Sequence, residues 1–245
     1  MAQNIYDDPK FLAGYRTLPR SVDGLDGAPE WPDVRRLLPD LAGTRVVDLG
    51  CGFGWFSRFA AEAGAASVFG LDISAQMLDR ARAETAQPAV RYEIADLDRL
   101  DLAEGAFDLA YSSLAFHYVE DFDRLAATIA HALAPGGSLV FTIEHPVFMA
   151  SIDARWSERA DGAPFWPVDH YFDEGERVTH WFVDGVVKHH RTLSTTLMAL
   201  IDAGLVVGHV EEWRPTDRQI EANPEWAREL HRPMFLIVRG RKGQL

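Results

Sequence analysis

One stretch limits what this chain can fold into more than any other: Val46-Val47-Asp48-Leu49-Gly50-Cys51-Gly52-Phe53-Gly54-Trp55. A β-branched hydrophobic run ends in an acid, passes through three glycines at alternate positions, and enters apolar residues at helical spacing, Trp55, Phe56, Phe59, Ala60 and Ala63. That pattern predicts strand, tight turn, helix. Glycine suits such a turn because positive φ costs it little, and because a backbone close to a ligand leaves no room for a Cβ. The free N–H groups at the helix start then face whatever lies above the strand's carboxyl end. A dinucleotide fingerprint, G-x-G-x-x-G, requires glycine where Trp55 stands, so the turn departs from it.

Downstream, strand and helix patterns alternate with little spare loop, which implies parallel strands joined by helical crossovers. Further strands are expected at Ser67–Leu71, Val90–Ile94, Phe107–Tyr111 and Ser138–Ile143. Ser74 is a natural cap for the helix running to about Thr85, and Pro135-Gly136-Gly137 stops the helix that starts near Phe122. Residues 1–43 hold no strand pattern and read as two short helices joined by a loop, a lid in which Tyr15 and Arg20 are the candidates to touch a ligand. Residues 146–191 break the rhythm with aromatic residues and Gly/Pro punctuation. They read as a substrate cover with a short hairpin about Asp184-Gly185. A helix over Thr192–Ala203 and strands over Leu205–Glu211 and Met234–Val238 complete the pattern. At 245 residues the whole reads as one domain: lid 1–43, core 44–145, cover 146–191, and the last part of the sheet 192–245.

The balance of 24 basic against 37 acidic residues disfavours a polyanionic partner such as nucleic acid, whose binding rests on neutralising phosphates. The short basic run Arg239, Arg241, Lys242 reads as a solvated tail. A single cysteine excludes an internal disulfide and a cysteine-rich zinc site. No run approaches the roughly 18 apolar residues of a membrane span, and the first residues lack a signal peptide's regions, so a cytoplasmic protein without membrane contact is expected, as monomer or homodimer.

Three acids follow three successive strands: Asp48, Asp72 and Asp96. In a doubly wound sheet the carboxyl ends share one rim, so these side chains converge on one crevice. Asp72 is placed to accept from a ribose's vicinal hydroxyls and would repel a 2′-phosphate. Asp96 can take a proton donor such as an adenine amino group, and Asp48 can attract a cationic amine. Each acid, taken alone, could merely cap the turn that follows it.

With these residues in view, the chain resembles the class I S-adenosylmethionine-dependent methyltransferases, of the ubiquinone-biosynthesis-like group acting on small molecules. The likeness rests on Val46 to Gly54, Gly70-Leu71-Asp72-Ile73-Ser74, Ala95-Asp96-Leu97, Phe107 to Ser112 and Leu133 to Leu139. It implies a Rossmann-like α/β fold, a doubly wound seven-stranded sheet of order 3-2-1-4-5-7-6 with strand seven antiparallel. It also implies S-adenosylmethionine as cofactor and S-adenosylhomocysteine as product. Carried onto matching positions, Gly50, Cys51 and Gly52 approach the methionine moiety, Asp72 takes the ribose, Ile73 and Leu97 sandwich the adenine, Asp96 accepts from its amino group, and the backbone near Ser112 holds the methionyl amine.

The resemblance fades in 1–43 and 146–191, the segments that would choose a small-molecule methyl acceptor. An acceptor hydroxyl or amine must lose a proton. His117, just after the fourth strand, and His145, after the fifth, are the catalytic candidates, although a lone histidine in such a loop can equally be structural. Nine histidines show no H-E-x-x-H or comparable spacing, so no metal is expected. Cys51 is explained by its small size in the turn rather than as a nucleophile. Two other readings stand beside the enzyme: a sensor or scaffold that binds the cofactor without transferring methyl, and a nicotinamide-dependent oxidoreductase.

Overall fold

The computed structural model describes residues 3–243. Its strands, in chain order, are β1 (Arg45–Leu49), β2 (Ser67–Asp72), β3 (Val90–Ile94), β4 (Phe107–Ser113), β5 (Leu133–Glu144), the short β6 (Ser157–Glu158) and β7 (Pro164–Phe165), β8 (Gly175–Trp181), β9 (Val183–His190), β10 (Leu205–Glu212) and β11 (Phe235–Lys242). Seven of these form one sheet of order β10-β11-β5-β4-β1-β2-β3, with β11 antiparallel to both its neighbours and the β1–β5 pairings parallel. Counting sheet strands alone, this is the expected 3-2-1-4-5-7-6 order.

Successive strand residues fall on opposite faces, and both faces are covered. Val46, Leu109, Val140 and Ile237 pack with Trp31, Phe56 and Ala60 from the helices α3 (Trp31–Leu37) and α4 (Trp55–Glu62). Their neighbours Val47, Ala110, Leu139 and Leu236 pack with Leu125, Ile129 and Leu200 from α6 (Phe122–Ala132) and α8 (Leu193–Asp202). Burial on both sides explains why the strands read as nearly continuous apolar runs. The helices begin where polar caps stand: Ser74 Oγ accepts from Met77 N–H at 3.1 Å to open α5 (Ala75–Glu84), Asp121 from Arg124 N–H at 3.0 Å, and Thr192 from Thr195 N–H at 3.1 Å.

The structure departs from the sequence reading in four places. Among its described residues the N-terminal segment holds three α-helical pieces rather than two helices: α1 (Pro9–Tyr15), the single turn α2 (Pro19–Val22) and α3, each with proline in its first two positions. A proline starts a helix well because its fixed φ suits the first turn and its missing N–H would have had no partner there, so each one restarts the helix. β5 begins at Leu133, upstream of the expected Ser138, with Pro135-Gly136-Gly137 absorbed where the register against β4 jumps from Phe107↔Leu133 to Leu109↔Ser138. The hairpin β8–β9 turns at Phe182, not at Asp184-Gly185, and Gly185, with φ of +82°, falls at a register shift beside the turn. The run Arg239, Arg241 and Lys242 is no solvated tail: it is the end of β11, and Lys242 Nζ donates to Leu133 O at 2.7 Å while Arg241 Nε donates to Gly136 O at 3.0 Å. Among the described residues no helix is long and apolar enough to cross a membrane.

Candidate functional site

The glycine turn after β1 is fastened to the end of β2. Gly50 and Cys51 N–H both donate to Leu71 O, at 2.8 and 2.9 Å, and Gly52 N–H donates to Asp72 Oδ2 at 2.8 Å. The other Asp72 oxygen accepts from Ser74 N–H at 2.9 Å. A side chain at Gly50, where φ is +73°, would put its Cβ 2.3 Å from that of Ala115, so this position admits glycine alone on two counts. At Gly52, also at positive φ, a Cβ would meet nothing within 4 Å, because the turn opens there onto a cavity.

That cavity has a volume of about 420 Å³ and follows the carboxyl rim of the sheet from β3 to β5. At one end, beyond β2 and β3, it is lined by Asp72, Ile73, Asp96 and Leu97; beneath the turn by Asp48, Gly50, Cys51 and Gly52; and beyond β4 and β5 by Ser113, His117, Tyr118 and Glu144. Neighbouring strands lie about 4.8 Å apart, so β2 and β5, separated by β1 and β4, set these ends roughly 14 Å from each other. The lid and the hairpin meet above. Tyr15 packs edge-on against Phe53 at 5.9 Å and Trp181 at 6.0 Å, and fully buried Phe11 packs against Trp181 at 5.3 Å and Phe182 at 5.8 Å. Arg20 lines the same space, with both terminal nitrogens 3.2 Å from the two carboxylate oxygens of Glu30.

The electrostatics of the buried groups follow from their surroundings. Burial lifts the Asp48 carboxyl to about 7, against the hydrogen bond that Ser57 Oγ donates to it at 2.6 Å. Burial likewise raises Asp72, and it pushes the Cys51 thiol up, so Cys51 stays protonated and unreactive. His117 is buried and its ring accepts a hydrogen bond at Nδ1 from Glu144 N–H at 3.3 Å. Burial depresses its pKa to about 3, with Lys188 and Arg191 adding to the effect. His117 is therefore a neutral imidazole whose proton sits on Nε2, a donor rather than a strong base.

Two sequence candidates are not among the lining residues, although for Ser112 the expectation concerned the backbone beside it rather than the hydroxyl. His145 is absent from the cavity lining: its Nδ1 accepts from Val147 N–H at 3.0 Å to cap the short helix α7 (Pro146–Met149), and its Nε2 is 3.0 Å from Glu212 Oε1. The Ser112 hydroxyl donates inward to Leu49 O at 2.7 Å, and its neighbour Ser113 reaches the cavity instead. All the other candidates, Tyr15, Arg20, Asp48, Gly50, Cys51, Gly52, Asp72, Ile73, Asp96, Leu97 and His117, line one cavity. The sequence reading missed Glu144 and Phe148 as lining residues, whereas Trp181 belongs to the aromatic cover expected over the site. Glu144 was detectable by the rule that found Asp48, Asp72 and Asp96, an acid directly after a parallel strand.

The arrangement fits a nucleoside with an amino-acid arm. An apolar slot between Ile73 and Leu97 suits a flat base, and buried carboxylates at Asp72 and Asp48 suit a diol and a cationic amine. The open space over Gly52 admits the chain between them, and the indole N–H of Trp55, itself a lining residue, is buried with no partner among the described residues.

Comparison with known proteins carries the same signal. Residues 47–141 match the family described as "Methyltransferase domain". The fold superposes, with a TM-score of 0.87 and 57% identity, on the crystal structure of an S-adenosylmethionine-dependent methyltransferase from Mesorhizobium loti, covering 89% of this chain and 100% of the other. An uncharacterized protein of Haemophilus influenzae is 34% identical over 98% of this chain and 97% of its own length. A malonyl-[acyl-carrier protein] O-methyltransferase of Pectobacterium atrosepticum is 36% identical over 51% of this chain and 48% of its own. With the glycine turn, the rim of acids and this likeness over nearly nine-tenths of its length, the chain belongs to the S-adenosylmethionine-dependent methyltransferases.

Proposed function

We propose that this methyltransferase acts on a small-molecule acceptor seated over β4 and β5. The cofactor's nucleoside would lie over β2 and β3, and its methionine over the glycine turn. When bound, S-adenosylmethionine supplies a methyl group already activated by its sulfonium, so the protein's task is alignment and exclusion of water. In this reading Asp72 holds the ribose, Ile73 and Leu97 flank the adenine, Asp96 takes its amino group, Asp48 faces the methionyl ammonium, and Gly50, Cys51 and Gly52 give the arm its path. Tyr15 and Arg20 close over it from the lid. His117, as a neutral donor, orients the acceptor rather than deprotonating it.

The observation that supports the reading is that one cavity runs from the nucleoside end to a second end walled by Tyr118, Phe148 and Trp181, where an acceptor would sit beside the cofactor. A sensor that buried the methyl group against solid protein would not need that space. The residues shared with the Pectobacterium enzyme span about half of each chain, so that enzyme's acceptor does not carry over. The test is a screen of small acceptors that detects release of S-adenosylhomocysteine. Turnover of at least one small molecule supports the reading, and tight cofactor binding without turnover of any acceptor favours the sensor.

A further inference from the structure

Glu144 takes no part in the cofactor site, and its two oxygens differ. Oε1 lies 2.5 Å from Lys188 Nζ, which is itself buried below the ring of Trp181 at 5.1 Å. Oε2 is buried, belongs to a residue lining the cavity, and has no partner among the described residues. A buried carboxylate oxygen without a donor costs stability, which a ligand that donates to it would recover. Lys188 cancels the charge of Glu144, so the free oxygen asks for a neutral donor more than for a cation. Immediately beside it, His117 accepts from the Glu144 backbone at Nδ1 and keeps its proton on Nε2. A carboxylate acceptor and an imidazole donor at the β4–β5 end match a neutral group that both donates and accepts, and a hydroxyl does both from a single atom.

The charges around the cavity point the same way. Its lining holds the carboxylates of Asp48, Asp72, Asp96, Asp98 and Glu144, and Arg20 as the only lysine or arginine among the described residues. Arg20 is held on both terminal nitrogens by Glu30, with its guanidinium 5.7 Å from the ring of Phe235, the residue that pairs with Glu144 across β11 and β5. Lys188 and Arg20 are thus each already paired with a carboxylate, and an anionic acceptor would meet Glu144 Oε2 in an acid-rich lining with no cation left unpaired to receive it.

The geometry points to Glu144 and His117 as the polar anchor that selects an uncharged, hydroxyl-bearing acceptor with an apolar or aromatic body, and that rejects carboxylates. The inference rests on the methyltransferase reading and names its substrate class.

The experiment compares catechol and benzyl alcohol with benzoate and phenylacetate. Calorimetric binding is measured in the presence of S-adenosylhomocysteine, and S-adenosylhomocysteine release is measured in the presence of S-adenosylmethionine. The wild-type protein is expected to bind and turn over at least one hydroxyl probe and neither carboxylate. The methyl passes from sulfur to the hydroxyl oxygen as the C–S bond breaks, and the hydroxyl proton passes to Glu144 Oε2. Glu144→Gln should weaken binding of that hydroxyl probe about tenfold or more, with cofactor affinity within about twofold of wild type. Preference for a carboxylate, binding of neither hydroxyl probe, or equal hydroxyl binding by Glu144→Gln overturns the assignment. Loss of cofactor affinity in Glu144→Gln also overturns it, by placing Glu144 in the cofactor site or the fold. The wild-type comparison stands even if the variant folds poorly. Failure of wild-type protein to bind S-adenosylmethionine at all would instead bring down the methyltransferase reading itself.

Discussion

Asp72 does two things at once: it anchors the glycine turn through Gly52 N–H and it lines the nucleoside end of the cavity. Hydrogen bonds to a charged group contribute about 1.5–3 kcal/mol each. Asp72→Asn, which removes the charge and sets an N–H donor against one of the two backbone N–H groups that Asp72 now accepts from, is therefore expected to weaken S-adenosylmethionine binding about 10- to 100-fold by calorimetry and also to lower the melting temperature. Asp48 makes a different prediction. Its carboxyl titrates at about 7 because it is buried, and a cationic ligand favours the ionised form. Cofactor affinity should rise as pH increases from 6 to 8, and Asp48→Asn should flatten that dependence; an unchanged slope in the variant would remove Asp48 from the ligand's surroundings. Both acids were legible in the sequence because each follows a strand. Glu144 follows the same pattern at the end of β5. His145 failed as a site residue for a reason no sequence shows: its ring nitrogen is needed to cap α7.

At the scale of elements, the core strands and their crossover helices could be placed from the sequence within a few residues. Short continuous apolar runs report strands buried on both faces and period-3.6 patterns report helices buried on one, while caps such as Ser74 and Thr192 mark where helices begin. The lid and the hairpin could be placed only as segments, since their order comes from each other. Phe11 and Tyr15 of α1 find their neighbours in Trp181 and Phe182, far away in the chain, and no local pattern encodes that contact. Gly14 is where the two approach most closely, since a Cβ there would come 2.5 Å from Phe182 Cδ1. Phe11→Ala removes a fully buried ring from this junction, a change that costs about 3–5 kcal/mol in a packed site. Because the sheet does not depend on that contact, the loss should be local. Hydrogen exchange is expected to speed up in α1 and in β8–β9 while β1, β4 and β5 stay protected; uniform acceleration across the sheet would show that the lid is part of the main folding unit.

For the molecule as a whole, two buried groups bend the stability profile in opposite directions. His117 stays neutral in the folded protein down to about pH 3, whereas an unfolded histidine takes a proton near 6.5. The unfolded state therefore binds more protons between those values, and His117 lowers stability as pH falls from 6.5 toward 3. Asp48 is the reverse: the folded state holds its proton up to about 7 while the unfolded carboxyl loses it near 4, so its contribution declines as pH rises through that window. Denaturant unfolding across pH should show His117→Gln losing less stability than wild type on acidification, and Asp48→Asn losing less on the way from pH 4 to 7.

The proposed order of sites along one rim puts the nucleoside over β2 and β3 and the acceptor over β4 and β5. A crystal structure of the protein with S-adenosylhomocysteine tests it most directly. The ribose hydroxyls should lie within hydrogen-bond distance of Asp72, the adenine between Ile73 and Leu97, and the sulfur toward His117 and Glu144 with open cavity beyond it. A nucleoside bound away from Asp72, or a sulfur facing closed protein, would contradict it.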